Sequence, residues 1–168
     1  MAEDSRARLI YAHGDATAPL GSGNRVIAHV CNDIGAWGRG FVMSLSRRGP
    51  EPEAAYRAWH QGRGQNDFRL GAVQLVRVAP ELWVANMVGQ RGIRRAGGNP
   101  PVRYEAIDEA LGHLAEQARR LDASVHMPRI GCGLAGGEWA RIEPLIRNQL
   151  CGRGVNVAVY DLAVGAAA

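Results

Sequence analysis

The segment HVCNDIGAWGRGFVMSLSRR, residues 29–48, joins a strand pattern to a helix pattern through a glycine-rich turn. The apolar strand pattern ends in Asn32 and Asp33, and three glycines follow before the helix pattern: Gly35, Gly38 and Gly40. Glycine lets backbone amides turn toward a ligand, and a strand that leads directly into a helix is the repeating unit of α/β folds. The segment therefore predicts an α/β protein with a ligand site at this junction.

Strand and helix patterns alternate along the rest of the chain. Short β-branched and aromatic runs predict strands, and apolar residues at helical spacing predict helices. The predicted strands are 8–14, 25–31, 71–78, 82–89, 123–131 and 155–162, and the predicted helices are about 38–48, 52–60, 104–121 and 138–150. This order predicts a three-layer α/β/α sandwich with a six-stranded mixed sheet. We expect a single domain over residues 1–168, with its core at about 8–162.

Two local patterns refine this prediction. Residues 71–78 alternate apolar and polar positions, whereas residues 82–89 are nearly all apolar, which indicates an edge or half-exposed strand beside a buried one. In the last helix, Pro144 is expected in the first full turn, because proline is tolerated near a helix start.

The composition is that of an ordinary globular chain, with 46% hydrophobic and 21% charged residues in 168. No apolar run approaches the roughly 20 residues that a membrane span needs. The first ten residues, MAEDSRARLI, contain acids and no apolar core, unlike a secretory signal. Three cysteines form no CxxC pair. We expect a cytoplasmic monomer with no membrane partner, no metal and no cofactor.

All 20 basic residues are arginine, so the chain has no lysine. The formal net charge is +4, but the arginines are scattered along the chain rather than gathered in one run. Nucleic acid is therefore a less favoured partner. The arginine bias, together with the many alanines and glycines, is typical of a GC-rich genome.

A second glycine-rich segment, MPRIGCGLAGGEW at 127–139, also lies between a predicted strand and a predicted helix. Two such loops at the carboxyl ends of strands could hold a diphosphate from both sides through backbone amides. Alternatively, each loop is only a tight strand-to-helix turn. Neither loop matches the P-loop or the dinucleotide-binding fingerprint, which argues against an ordinary NTPase or dehydrogenase.

Three motifs carry a resemblance to a known family: GDAT at 14–17, AHVCNDIGAWGRGF at 28–41 and MPRIGCGL at 127–134. Over residues 9–162 the chain resembles a bacterial macro domain of the terminal ADP-ribose protein glycohydrolase and ALC1-like branch. The resemblance implies a six-stranded mixed sheet with ADP-ribose lying across the strand ends.

The same resemblance implies roles for individual residues. Asp15, with Ala16 beside it, would accept a hydrogen bond from the adenine amino group, and Leu162 would pack near the adenine. Asn32 would face the distal ribose. Backbone amides would enclose the diphosphate and ribose, and they belong to Gly38, Arg39, Gly40, Arg129, Ile130, Gly131, Cys132, Gly133, Leu134 and Ala135.

Two positions depart from the family pattern. Gln90 lies near the position of the glycohydrolase lysine that attacks the distal ribose, and Ala135 replaces an assisting aspartate. Without lysine, a Schiff-base route is excluded. A hydrolase would have to use water, oriented by Asn32, by Gln90 or by the substrate's own phosphate.

Several of these side chains also have a structural interpretation. Asp15 could close an Asx turn, and Asn32 and Asp33 could cap the turn that follows them. Cys132 is expected to be a small buried residue and His29 a hydrogen-bonded core residue. A helix-start role is expected for Glu138 and a core role for Trp139.

The sequence thus favours a protein that binds ADP-ribose and removes it from ADP-ribosylated protein. Glutamate- and aspartate-linked esters are the favoured substrates, since a carboxylate is a better leaving group than an amide. The alternatives are a reader that binds ADP-ribose without turnover, a phosphatase acting on ADP-ribose 1″-phosphate, and a deacetylase acting on O-acetyl-ADP-ribose.

Overall fold

The computed structural model describes residues 7–162, in which six strands form one sheet. Residues 1–6 and 163–168, which the predicted domain includes, lie outside the described residues. The strands are β1 (Leu9–His13), β2 (Arg25–Asn32), β3 (Val73–Ala79), β4 (Leu82–Gln90), β5 (Ser124–Met127) and β6 (Val157–Asp161). The helices are α1 (Phe41–Arg48), α2 (Glu51–Gln61), α3 (Tyr104–Leu121) and α4 (Trp139–Gln149), and a 3-10 turn follows at Cys151–Arg153.

The sheet is mixed, with strand order β1-β6-β5-β2-β4-β3. The first five strands of that order run parallel, and β3 pairs antiparallel with β4 at one edge. β4 is almost entirely buried and β3 is largely half-buried. The predicted mixed sheet, and the predicted edge strand beside a buried one, are both confirmed.

Two separate cores lie on the two faces of the sheet. Along β2, Val26 and Ala28 pack with α3 and α4 on one face, whereas Ile27 and Cys31 pack with α1 and α2 on the other. This alternation follows from the period-two arrangement of side chains in a strand. The predicted three-layer α/β/α sandwich is therefore confirmed.

Three predicted details are wrong at the residue level. The strand predicted over 123–131 ends at Met127, because Pro128 has no N–H to donate to a neighbouring strand. The first helix begins at Phe41 rather than near residue 38, since Gly40 has a φ of 80° that no helix accommodates. Pro144 lies in the second turn of α4, so the carbonyl of Ala140 lacks its usual helical donor.

Within residues 7–162, no helix is both long enough and apolar enough to cross a membrane.

The sheet and α3 pack closely together at Gly89 in β4. A Cβ atom placed there would lie 2.8 Å from Ile107 Cγ1 and 3.0 Å from Val30 Cγ1, both in the core. Substitution would therefore force the helix away from the strand.

We expect Gly89→Ala to lower the free energy of unfolding by about 1–3 kcal/mol, the usual cost of overpacking a core. Gly64→Ala is the matched control, because a Cβ at Gly64 meets nothing within 4 Å. Both substitutions reduce the conformational entropy of the unfolded chain by the same amount. The difference between the two variants therefore measures the clash of the new Cβ at position 89. Equilibrium urea unfolding measures both, and equal midpoints would contradict the close approach.

Candidate functional site

The carboxyl ends of the five parallel strands form a row along one edge of the sheet. In spatial order they are the ends of β1, β6, β5, β2 and β4. Neighbouring strands lie about 4.8 Å apart, so the row is about 19 Å long. Both glycine loops and nearly all the predicted site residues follow these strand ends. Ligands of α/β proteins bind at such an edge.

Asn32, the last residue of β2, fixes the course of the first glycine loop, residues 33–40. Its Oδ1 accepts hydrogen bonds from the amides of Ile34 (3.1 Å) and Ala36 (3.0 Å) and from the Tyr56 hydroxyl (2.8 Å). Its Nδ2 donates to the Ala36 carbonyl at 2.7 Å. The capping role considered for Asn32 is therefore present, and most of its hydrogen-bonding capacity serves the loop.

Helix α2 holds the same loop from the other side. The Tyr56 hydroxyl, completely buried, accepts a hydrogen bond from the Gly35 amide at 3.2 Å. The Arg57 guanidinium donates to the carbonyls of Gly35 (3.1 Å) and Trp37 (3.3 Å). The loop is thus rigidly attached even though it is rich in glycine.

This arrangement leaves several backbone amides without acceptors. The amides of Gly38, Arg39 and Gly40, which lead into α1, donate to no oxygen of residues 7–162. In the second glycine loop, residues 128–138, the same holds for the amides of Gly133, Leu134 and Ala135. Unpaired amides at a helix start and in a glycine turn favour anionic oxygens.

The second glycine loop is anchored at both ends by core side chains. Ile130 and Ala135 are buried in the core beside α3 and α4. The Gly137 amide donates to the Gly131 carbonyl at 2.7 Å, which closes the loop. Between these anchors Gly133 is exposed, and a Cβ there would meet nothing within 4 Å. The middle of this loop is therefore open to a ligand.

A cavity of about 640 Å³ lies above the ends of β2 and β4, between the two loops. Predicted residues that line it are Asn32, Gly38, Arg39, Gln90 and Leu134. Other residues in its lining were not predicted, and these include Trp37, Arg57, Ile93 and Arg94. The predicted residues Gly40, Arg129, Ile130, Gly131, Cys132, Gly133 and Ala135 belong to the two loops but not to this lining.

Asp15, Ala16 and Leu162 lie at the far end of the row, beyond β1 and β6. The pairing of His13 with Asp161 puts these two strand ends side by side. The exposed Asp15 uses Oδ1 to accept hydrogen bonds from the amide (2.8 Å) and hydroxyl (2.7 Å) of Thr17. The Asx turn considered for Asp15 is therefore present, and Oδ2 accepts no bond from the described residues.

The Arg129 side chain points away from the cavity. It forms a two-pronged ion pair with Asp161, at 2.8 and 3.0 Å, and its guanidinium lies over the rings of Tyr11 and Trp139. This ion pair lowers the pKa of Asp161. The Arg129 guanidinium therefore lies at the end of β6 and not in the cavity lining. Trp139 is half-buried and packs against the edge of the core, so the core role expected for it is met only in part.

The cavity lining contains no carboxylate and no imidazole. Burial raises the pKa of the Cys31 thiol, which lies on the cavity floor, well above its usual range. Burial also raises the pKa of Cys132, which was expected to be buried and is half-buried against the core. Gln90 donates through Nε2 to the Gly92 carbonyl at 2.9 Å. The lining therefore presents amide groups and arginine charge to whatever occupies the cavity.

His29 is a buried, hydrogen-bonded core residue, as predicted. Its Nε2 donates to Asn86 Oδ1 at 2.5 Å, and Asn86 Nδ2 donates to the Pro52 carbonyl and to Gln74 Oε1. Burial lowers the pKa of His29 to about 4, and it does the same for His126, whose pKa the nearby Arg25 lowers further. Both imidazoles are neutral at physiological pH.

Because the pKa values of these two histidines are lowered, we expect the free energy of unfolding to decrease in mild acid. The unfolded chain binds their protons near pH 6.5 and the folded chain only near pH 4, so the stabilising contribution declines as the pH falls from about 6.5 to about 4. Between about pH 7.5 and about pH 5 each histidine should remove about 2 kcal/mol from the free energy of unfolding. Urea unfolding measures this, and a His29→Gln variant should lose about half of the pH dependence. An unchanged pH profile in that variant would contradict the assignment to His29.

Comparison with known proteins reveals clear relatives, although no family model matches the chain. A macrodomain protein from Streptomyces coelicolor is 60% identical, with 92% of this chain and 99% of that chain covered and a TM-score of 0.83. The ADP-ribose 1″-phosphate phosphatase of Chaetomium globosum is 30% identical over 153 residues, 80% of each protein. The chromodomain-helicase-DNA-binding protein 1-like of Danio rerio is 33% identical over 94% of this chain, which spans 16% of that relative's length.

The Streptomyces likeness covers nearly the full length of both chains, at an identity too high for a shared fold alone. The chain therefore belongs to the macrodomain family.

Proposed function

We propose that the protein binds ADP-ribose along the row of strand ends and hydrolyses it from glutamate or aspartate side chains of modified proteins. The observation that carries this proposal is the pair of rigid glycine loops, whose unpaired amides border a 640 Å³ cavity. Two loops of this kind suit a diphosphate, and the cavity beyond them suits a sugar.

The orientation of the ligand follows from the two ends of the row. Asp15 keeps Oδ2 as an acceptor, and an exocyclic amine of a base is a matching donor. The exposed apolar side chain of Leu162 lies at the neighbouring strand end and provides a surface for the base. The adenine is therefore assigned to the β1 and β6 end, and the distal ribose to the cavity at β2 and β4.

The chemistry of the cavity favours an ester substrate. Water attacks C1″ of the distal ribose, the bond from C1″ to the side-chain carboxylate breaks, and the proton of the water passes to solvent or to a substrate phosphate. A carboxylate leaves without being protonated, so this step needs no general acid. The lining contains no carboxyl group or imidazole to act as one, and burial raises the pKa of its one thiol, Cys31.

Gln90 is the residue assigned to orienting the attacking water. Its Nε2 is held by the Gly92 carbonyl, and its Oε1 accepts no hydrogen bond from another group in the described part of the chain. A fixed carbonyl oxygen can accept a hydrogen bond from water, although a neutral amide does not act as a base at pH 7. Asn32 contributes to catalysis indirectly, by shaping the first glycine loop.

Phosphatase activity on ADP-ribose 1″-phosphate is the second candidate. Its support is the 30% identity to a fungal protein of that name over 80% of each chain. Arg39 and Arg94 line the cavity and could hold a terminal phosphate, whereas the Arg57 guanidinium is already paired with Glu53 at 2.8 Å. A reader without turnover remains the alternative if neither substrate is consumed.

Substitution of Gly133 tests the binding site. We expect Gly133→Glu to abolish ADP-ribose binding, because its carboxylate repels the diphosphate, and Gly133→Gln to weaken it less at nearly equal volume. The fold should survive both changes, since a Cβ at this position meets nothing within 4 Å. Titration calorimetry measures the affinity and circular dichroism checks the fold. Wild-type affinity in the folded Glu variant would show that this loop does not hold the diphosphate.

Release of ADP-ribose from glutamate-linked ADP-ribosylated protein tests the reaction, with ADP-ribose 1″-phosphate as a parallel substrate. We expect many turnovers on the ester, and no adduct trapped by borohydride, because the chain has no lysine. Gln90→Ala should lower kcat about 10–100-fold and leave ADP-ribose affinity within a few fold. Tight binding without release would indicate a reader, and full activity of the Gln90 variant would remove the assigned role.

A further inference from the structure

The segment that follows β4, residues 91–103, forms a hairpin that we call the arginine arm. Ala96 and Asn99 exchange two backbone hydrogen bonds, at 3.1 and 3.0 Å, around Gly97 and Gly98. Both glycines have positive φ, 60° and 82°, as a two-residue hairpin turn of this type requires. The arm is thus an ordered element beside the cavity.

Two side chains fix the base of the arm. The Arg103 guanidinium donates to the carbonyls of Pro100 (2.7 Å), Pro101 (3.1 Å) and Val102 (2.9 Å). Asp33 Oδ1 accepts a hydrogen bond from the Gly92 amide at 2.7 Å, which ties the arm to the first glycine loop. The position of the arm relative to the cavity is therefore defined by the fold.

Three further arginines on the arm face outward. Arg91, Arg94 and Arg95 are exposed, and they line a hollow of about 710 Å³ together with Ile34, Ile93 and Asp33. None of the three guanidinium groups lies within 4.0 Å of a carboxylate of residues 7–162, and Arg95 donates to the Gly98 carbonyl at 3.1 Å. Asp33 is the single acidic side chain of the hollow. The hollow therefore has an excess of positive charge.

The hollow is continuous with the cavity. Ile93 and Arg94 line both of them, so a polypeptide whose modified side chain enters the cavity has room to extend along the hollow. Guanidinium groups pair with carboxylates in a two-pronged geometry, which gives both affinity and selectivity.

We infer that the arginine arm binds an acidic segment flanking the modified residue, so that the protein selects ADP-ribosylated sites in glutamate- and aspartate-rich sequence. This inference rests on the proposed function and adds the sequence context of the substrate. The apolar side chains exposed in the hollow are aliphatic, Ile34 and Ile93, at 51% and 48% exposure. Single-stranded nucleic acid is bound on exposed aromatic rings, and the nearby Tyr104 ring is covered by the Arg141 guanidinium at 3.7 Å. An acidic peptide fits these features better than a nucleic acid.

The experiment compares two peptides that carry ADP-ribose on a non-cleavable linker, one flanked by glutamates and the other by glutamines. Fluorescence anisotropy at low salt should give an affinity about tenfold higher for the glutamate peptide. In the double variant Arg91→Gln, Arg95→Gln the preference should fall below about threefold, with the affinity for free ADP-ribose unchanged. The matched control is Arg119→Gln, Arg120→Gln, which removes the same charge at the exposed end of α3, away from the strand ends.

Equal affinities for the two peptides would overturn the inference, as would an equal loss of preference in the control variant. A single-stranded oligonucleotide that competes better than the glutamate peptide would also overturn it, in favour of nucleic acid. The unmodified glutamate and glutamine peptides are measured in parallel at high concentration. If free ADP-ribose itself does not bind, the proposed function fails, and the unmodified pair still decides whether the arm prefers acidic sequence.

Discussion

The hydrogen bonds of one side chain, Asn32, determine the shape of the site. A loop that offers its amides to an anion cannot satisfy them internally, and a glycine-rich loop with unsatisfied amides has little to hold it in place. Asn32 resolves this conflict by binding the first part of the loop, at Ile34 and Ala36, and leaving the amides from Gly38 to Gly40 unpaired. Because Asn32 is the last residue of β2, its hydrogen bonds fix the position of the loop relative to the sheet.

Side chains also hold the backbone in the other elements around the cavity. Side chains of α2 bind carbonyls of the first loop, core residues anchor the second loop, and Arg103 binds carbonyls at the base of the arginine arm. Polar side chains are thus used to hold backbone, and backbone is left to face the ligand. A site built in this way recognises shape and negative charge more than it supplies reactive groups.

Much of the fold was predictable from local pattern, and less of the site was. Strand and helix order, the edge position of β3 and the two glycine loops follow from periodicity and glycine spacing, which are local properties. The sequence could not decide whether the Asn32 side chain binds the loop backbone or a ligand, because both roles suit the same residue type. No local sequence pattern marks Arg57 as a site residue, since it reaches the first glycine loop only through the packing of α2. The outward direction of Arg129 depends on Asp161, which is 32 residues away. The arginine arm forms a hairpin because Ala96 pairs with Asn99. Its glycines permit such a turn but do not by themselves predict it.

The internal attachment of the loops has a consequence for the thermodynamics of binding. Fixing the backbone of one residue costs about 1–2 kcal/mol of conformational entropy, and glycine loses more than other residues. In this protein Asn32, Arg57 and Arg103 hold these segments through hydrogen bonds within the chain, so that cost belongs to folding. The entropy change of binding is therefore expected to contain little contribution from ordering of the loops, and this part of the usual cost of binding is avoided.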